Sequence, residues 1–369
     1  MTQARVLITT EEEYRMDNGW HEPTNVARDD RRGSQVTDDL AEVTSGLKAI
    51  DDNVSCCNEL SPLQEGMLFH HMMNQNRDCL KISVLFSADS YEDVGALARA
   101  VQVVVDRHDA LRTAILWQGM PRPVQVTYNT AEVQVKEEYF ATSEAALKHL
   151  CDLMRPRQRD VDLMRAPLVW LHIAGCIEEG NLYALLQVHH LVCDFASIRT
   201  VVDEVMVVLD GEAKRLPAPA DYSKQMHAFA GGSSAATSEQ FFRSKLGDFH
   251  DPSIPFNVLD SQVDAGRSAE VRERISPSLA TEIRNYATQS GVSAARLFHA
   301  AWAMVIAKTS GKDDVVFGTL LARPRSSSRY EPTFGMFVNT LPLRLRLRNV
   351  SAKEFIRQTH QELSELLPH

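Results

Sequence analysis

Apolar positions recur with two periods along this chain, and together they mark out its elements. Residues 182–188 form an unbroken apolar run of strand length, which predicts a buried strand. Directly after it, Ile198, Val201, Val202, Val205, Met206 and Leu209 recur at helical spacing and predict one covered helix face. Upstream, Ser61, Pro62 and Gln64 supply a cap, a first-turn proline and a capping-box partner for a helix carrying Met67 to Met73. Residues 81–86 read as a strand, and Val94, Leu97, Ala98, Val101, Val105 and His108 as the stripe of the next helix. Strand-like segments follow at 112–117 and 124–128. A helix from Ser143 places Leu147, Leu150, Cys151 and Met154 on one face. Residues 168–174 and 182–188 flank a turn containing Gly175 and Gly180 and predict a hairpin.

The second half repeats this mixture. A Pro/Ala stretch at 216–220 and a Gly/Ser stretch at 231–234 make 211–240 the expected linker. Helices are expected near 239–247, from Ser276 to Gly291, over 293–310 and over 352–367; strands near 270–275, 315–321 and 334–347. The helix over 293–310 is apolar nearly all round, which predicts a core position. Residues 1–52 are polar and weakly periodic, and read as a flexible leader or docking segment outside the core. The expected division is therefore a leader (1–52), a first lobe (53–225) and a second lobe (226–369). The fold class is α/β (α+β), with a mixed sheet and flanking helices in each lobe.

Composition narrows the function. The chain has 369 residues, 44% of them hydrophobic and 24% charged, as in an ordinary globular protein. A net charge of −10 argues against nucleic acid as partner. No apolar run has the length of a membrane span, and the first ten residues lack signal-peptide organisation, so a cytoplasmic location is expected. Six cysteines without CxxC spacing read as reduced thiols; Cys193 is either a nucleophile or a small inward filler.

The densest chemistry is HHLVCD at 189–194, where the predicted strand ends and the predicted helix begins. A neutral imidazole there can take a proton from an amine or hydroxyl near pH 7. The same residues also fit a packed histidine and a helix-capping aspartate. A metal site would need a further ligand, and none lies near in sequence.

Three further segments change this picture. SPLQEGML at 61–68, RHDALRT at 107–113, HHLVCD at 189–194 and FGMFVNTLPLR at 334–344 occur in the order and with the character of four motifs of one family. The chain resembles the condensation domains of nonribosomal peptide synthetases. That resemblance implies a two-lobed, pseudo-dimeric fold like that of chloramphenicol acetyltransferase. It implies a cytoplasmic enzyme of antibiotic and other secondary metabolism, joining a donor acyl or peptidyl thioester to an acceptor amine. Both substrates would ride on the phosphopantetheine of upstream and downstream carrier proteins, beside adjacent synthetase domains, with no cofactor of the domain's own.

Carried over residue by residue, the resemblance implies catalysis by His190 and support from His189. It implies an Asp194–Arg112 ion pair, and bracing by Asn339 and Arg344. FHHMMNQNRD at 69–78 resembles the extra motif of dual epimerisation/condensation domains, which would give His70, His71 and Asp78 a role at the donor Cα.

The chain departs from the family pattern in several places. Phe195 stands where the family has Gly; its place on the Ile198 and Val202 face predicts inward packing beside the substrate tunnel. Arg77 replaces a Gly, and 323–329 replaces a Gly-rich stretch. The family's last segments have no counterpart, so the second lobe is expected to be incomplete. Two alternative functions share these residues: a non-catalytic carrier-binding module, and a stand-alone acyltransferase using the same His.

Overall fold

The computed structural model describes residues 4–9, 33–74, 77–78, 80–155, 159–176, 178–230, 235–257, 271, 273–322 and 334–369. These residues fall into two compact units. The first is built mainly on Asp29–Ala230 with Pro324–Val338, and the second on Gly231–Arg323 and Asn339–His369.

The first unit opens with β1 (Ala4–Thr9), α1 (Gly33–Lys48), β2 (Val54–Glu59) and α2 (Pro62–Met73). It continues through β3 (Arg77–Asp78), β4 (Lys81–Ala88), α3 (Tyr91–Arg107), β5 (Thr113–Leu116), β6 (Val124–Tyr128) and β7 (Gln134–Tyr139). Then come α4 (Ser143–Met154), β8 (Arg159–Asp160), β9 (Val169–Cys176), β10 (Asn181–His189), α5 (Phe195–Leu209) and α6 (Tyr222–Ala230). The main sheet runs β1-β4-β10-β9-β7. Its pairs are antiparallel except β7, which lies parallel to β9.

β10 sits at the centre, which explains its unbroken apolar sequence. Ala184, Leu186 and Val188 pack with Leu97 and Val101 of α3 and with Ile198, Val201 and Val205 of α5. Leu185, between them, packs on the other face with Ala146 and Leu150 of α4. A strand covered on both faces has no polar side to alternate to. The predicted hairpin forms as β9 and β10, paired from Asn181↔Cys176 to Val188↔Val169.

Of residues 1–52, expected to lie outside the core, the described ones at 4–9 and 33–52 include parts of the folded unit; 1–3 and 10–32 lie outside the described residues. β1 pairs with β4, and Leu40 of α1 is buried with Val54, Cys57, Val124 and Val126 against a second sheet, β2-β6-β5. Their sparse apolar residues sufficed because a small three-stranded sheet needs only one helix face to cover it. The expected linker also contributes to the core: Tyr222, at the start of α6, is only 2% exposed.

The second unit contains α7 (Ala235–Leu246), α8 (Pro277–Gln289), α9 (Ala294–Ser310), β11 (Asp314–Ala322), β12 (Val338–Arg346) and α10 (Ala352–Leu366). Ala300, Ala303, Ile306, Val315, Leu343, Leu345, Phe355 and Leu363 form its core. The strand expected near 270–275 is absent at the described positions 271 and 273–275. The expected strand at 334–347 begins only at Val338, because residues 334–337 are spent on a buried loop of the first unit. α9 buries one face only; Phe298, Trp302, Met304 and Val305 are exposed among the described residues. No single described helix is long and apolar enough to cross a membrane. Residues 323–329 lie outside the described residues.

Candidate functional site

The site is the turn between β10 and α5. His189 is the last residue of β10, opposite Lys81 of β4. Its backbone N–H donates to Leu168 O at 3.0 Å, and its ring Nδ1 accepts from Leu191 N–H at 3.1 Å. An Nδ1 that accepts carries no proton, so this fully buried imidazole is a fixed part of the turn. Val192 N–H closes the turn onto His189 O at 3.1 Å. Gln64, from the first motif, donates from Nε2 to Leu191 O at 2.7 Å. Gln64 is itself held by Gln125, and Gln125 accepts from the Tyr222 hydroxyl at 2.7 Å. The predicted capping box forms as well, with Ser61 and Gln64 satisfying one another. One side chain therefore ends the cap of α2 and sets the path of the histidine turn.

Asp194 is the N-cap of α5, where its Oδ1 accepts from Ser197 N–H at 2.8 Å. Its own N–H donates to Gly335 O at 3.3 Å. Ser197 Oγ completes the clamp, donating to Gly335 O at 3.0 Å and accepting from Gly335 N–H at 3.1 Å. Gly335 has φ +142°, and a Cβ there would lie 2.7 Å from the Tyr222 ring. Glycine is required at this point by both backbone and space.

His190 is left in the middle of this frame. Its N–H donates to Leu80 O at 2.8 Å, which fixes the backbone. Its ring Nδ1 is buried and has no hydrogen-bond partner among the described residues. Burial pushes the imidazole below the ordinary histidine range. The carbonyls of His190 and Cys193 and the Asp194 carboxylate oppose that shift, while His189 adds to it. A ring kept neutral near pH 7 on a rigid junction can accept a proton. The Phe195 ring stands edge-on to it, with centroids 5.3 Å apart and planes at 85°. Cys193 is fully buried, and its thiol donates to Asp194 O at 3.4 Å, as an inward filler would.

The expected Asp194–Arg112 pair is not formed. Arg112 donates to Tyr128 O at 2.7 Å, Asn129 O at 2.9 Å and Asp109 Oδ1 at 2.5 Å. The short 3-10 turn over Asp109–Arg112 supplies the guanidinium with its own carboxylate and aims it at the end of β6. The other charged residue of that motif makes the longer reach. Arg107 Nε and His108 Nε2 both meet Glu204 of α5, at 3.0 and 2.9 Å. Burial raises the Glu204 carboxyl, but the His108 and Arg107 bonds outweigh it and hold it below the usual range. His108 also stacks on Phe334, at 4.8 Å between centroids.

Phe195 is 38% exposed and is not packed inward as its helical register predicted. It occupies the first position of α5, and Cα–Cβ bonds of a helix tilt toward the N-terminus. The side chain therefore lies over the turn before it.

Of the extra motif, His70 is exposed, while His71 is buried on α2 and packs edge-on to Trp117, at 6.2 Å. Asp78 pairs through its backbone with Arg159; its side chain lies outside the described residues.

Arg344 belongs to the second unit. It forks onto Asp314, with Nε–Oδ1 at 2.9 Å and Nη2–Oδ2 at 2.7 Å, and also binds Asp248 and Lys245 O. Asn339 Oδ1 accepts from Thr340 N–H at 2.9 Å. Sequence reasoning missed the roles of Ser197, Gly335, Gln125 and Tyr222. Only Gly335 carried a signal, as the glycine of the fourth motif.

The condensation-domain family profile matches residues 57–369. Malpinin synthetase of Mortierella alpina is 34% identical over 337 residues, covering 90% of this chain and 4% of the synthetase. Malpibaldin synthetase of the same organism is 35% identical over 330 residues, covering 89% and 6%. The chain thus spans a small fraction of the curated relatives it matches. Among solved structures, the first condensation domain of the calcium-dependent antibiotic synthetase superposes with TM-score 0.63 at 21% identity, covering 85% of this chain and 75% of that one. A four-domain nonribosomal peptide synthetase, holo-AB3403, does so with TM-score 0.70 at 18% identity, covering 86% and 24%. These superpositions carry the two-lobed, chloramphenicol-acetyltransferase-like fold. Taken with the profile match and four motifs in order, they establish that this chain belongs to the condensation-domain family.

Proposed function

We propose that this chain forms an amide bond between a donor acyl or peptidyl thioester and an acceptor amine, both delivered on carrier-protein phosphopantetheine. The observation that carries this reading is His190. Its imidazole stands at the rigid junction of β10 and α5, and burial lowers its pKa from the ordinary histidine value, which favours the neutral, proton-accepting form. In the reaction, the acceptor nitrogen attacks the thioester carbonyl, the C–N bond forms and the C–S bond breaks. His190 accepts a proton from the attacking nitrogen and returns it to the departing thiolate. Such acid–base help contributes about 10²–10⁴-fold. Tethering both substrates contributes through proximity. His189, Asp194, Ser197 and Gln64 hold the turn, and Arg112 braces the end of β6. Asn339 and Arg344 brace the second unit and take no part in the chemistry. The proposed partners are the donor and acceptor carriers and the neighbouring synthetase domains.

For the extra motif, burial of His71 against Trp117 favours a packing role over proton removal at the donor Cα. Deuterium wash-in at that carbon, measured on a loaded carrier in D₂O, decides the point: wash-in that disappears in His71→Ala would restore epimerisation.

The deciding experiment is intact-protein mass spectrometry. A donor carrier charged with each common aminoacyl group is mixed with the chain and a glycyl-loaded acceptor carrier. Mass transfer from donor to acceptor supports condensation. Binding of carriers without transfer favours a non-catalytic module. Transfer to a small free amine or alcohol favours a stand-alone acyltransferase.

A further inference from the structure

A reactive side chain is only as well placed as the backbone that carries it. Leu191, directly after His190, is held on both sides. Its N–H donates to His189 Nδ1 at 3.1 Å, and its carbonyl accepts from Gln64 Nε2 at 2.7 Å. Those two bonds set the peptide planes that follow His190. The backbone carbonyls that act on the His190 imidazole, those of residues 190 and 193, lie in the same turn. Whatever holds Gln64 therefore helps to aim that ring.

Gln64 belongs to a closed set of bonds. Its amide pairs reciprocally with that of Gln125, Nε2 to Oε1 in both directions at 3.1 Å. Gln64 Oε1 also accepts from Ser61 N–H at 2.8 Å, and Gln125 Nε2 also donates to Glu59 O at 2.7 Å. A primary amide offers two N–H donors and an oxygen that accepts twice. With these bonds and the one to Leu191, a single acceptor position is left, on Gln125 Oε1, and the Tyr222 hydroxyl fills it at 2.7 Å. Both amides and Tyr222 are buried, so bulk water does not reach the set. A fully paired buried network is rigid, and one short of a partner is not. The Tyr222 ring serves the other end of the turn. It lies against Gly335, where a Cβ would come within 2.7 Å of it, and Gly335 is the residue that Ser197 Oγ and Asp194 N–H hold. One side chain of α6 thus meets both supports of residues 191–194.

We infer that Tyr222 is a positioning residue for His190, acting through Gln125 and Gln64 on the Leu191 carbonyl and through Gly335 on the start of α5. This rests on the reading of His190 as the base. Tyr222 is buried away from any substrate, so its loss falls on the chemical step and not on carrier binding. A neutral hydrogen bond of this kind, lost from the arrangement the transition state needs, corresponds to a rate factor of about 2–10.

The test uses the full chain in the two-carrier assay, with ¹⁵N-labelled histidine to follow the His190 ring. Tyr222→Phe keeps the ring against Gly335 and removes only the hydroxyl. It should lower kcat about 2–10-fold, leave KM for both carriers unchanged and move the His190 side-chain ¹⁵N shifts, which His190→Ala assigns. Gln125→Leu breaks the same path one link nearer the turn and should show the same changes. Adding Tyr222→Phe to it should cost no further rate. Thr127→Val is the control. It removes a buried hydroxyl on the strand that carries Gln125, bonded to Thr113 at 3.0 Å, and should lower the thermal midpoint with kcat and the His190 shifts unchanged. If Gln125→Leu does not fold, Tyr222→Phe and Thr127→Val decide alone. Normal kcat or unmoved His190 shifts in Tyr222→Phe, or an equal kinetic loss in Thr127→Val, would overturn the positioning role, as would a further loss in the double variant; an inactive His190→Ala would then keep the base. If His190→Ala turns over normally, the base reading falls and the inference falls with it.

Discussion

The histidine turn of the first unit and the Arg344 cluster of the second are both hydrogen-bonded polar constructions, the first buried and the second partly exposed, and they are completed differently. Arg344 spends its guanidinium on two carboxylates and a backbone carbonyl. Around residues 189–197, Gln64, Ser197 and the backbone of Gly335 satisfy their neighbours in the same thorough way, yet Nδ1 of His190 is left over. A buried polar atom without a partner costs free energy and persists where something else is gained. Arg344 thus braces the second unit, while the histidine turn is a hydrogen-bonded frame around the buried His190 imidazole.

The largest test of this contrast is His190→Ala. It should lower condensation by about 10²–10⁴-fold while leaving the thermal midpoint close to that of the parent. The pH profile of kcat/KM sharpens it. The neutral ring is the active form and burial depresses its pKa, so the rate should rise with pH through a midpoint below the ordinary histidine value of about 6.5. The charged or titratable neighbours acting on this ring are Asp194 and His189. A profile still rising well above neutrality would break the assignment.

Arg344→Ala should do the reverse, with little direct effect on chemistry and a loss of about 1 kcal/mol of stability, read by denaturant unfolding. The sign with pH follows from Asp314. The Arg344 hydrogen bond holds its carboxyl below the usual range against a smaller opposing effect of burial. Its stabilisation is therefore full above the unfolded carboxylate value of about 4 and is lost as pH falls through the folded value. Arg344→Ala should flatten that acid-side loss. Equal acid sensitivity in parent and variant would mean that the fork contributes nothing.

The smallest expected effect is a coupling energy. Asp194→Ala removes a helix cap, worth about 1 kcal/mol, and Arg112→Ala strands two carbonyls at about 1–3 kcal/mol. The two residues share no bond, so the double variant should match the sum within about 0.5 kcal/mol. Coupling above about 1 kcal/mol in that cycle would reinstate the ion pair between them.

Much of this was legible in the sequence because local physics decided it. The capping box of α2, the strand ending at His189 and the helix after Asp194 follow from side-chain period and cap chemistry, which depend on near neighbours. The family was legible because four motifs recur in order. Tertiary structure alone decided the pairings between distant segments. It sent Arg112 to Tyr128 and Asn129, joined Arg107 and His108 to Glu204, clamped Gly335 with Ser197, and covered the second sheet with α1. It also turned Phe195 toward His190, because the first residue of a helix leans over the loop before it, whatever face its register assigns. A charged side chain several bonds long can reach several partners, and composition does not rank them. Burial and backbone geometry choose, and they exist only once the chain has folded.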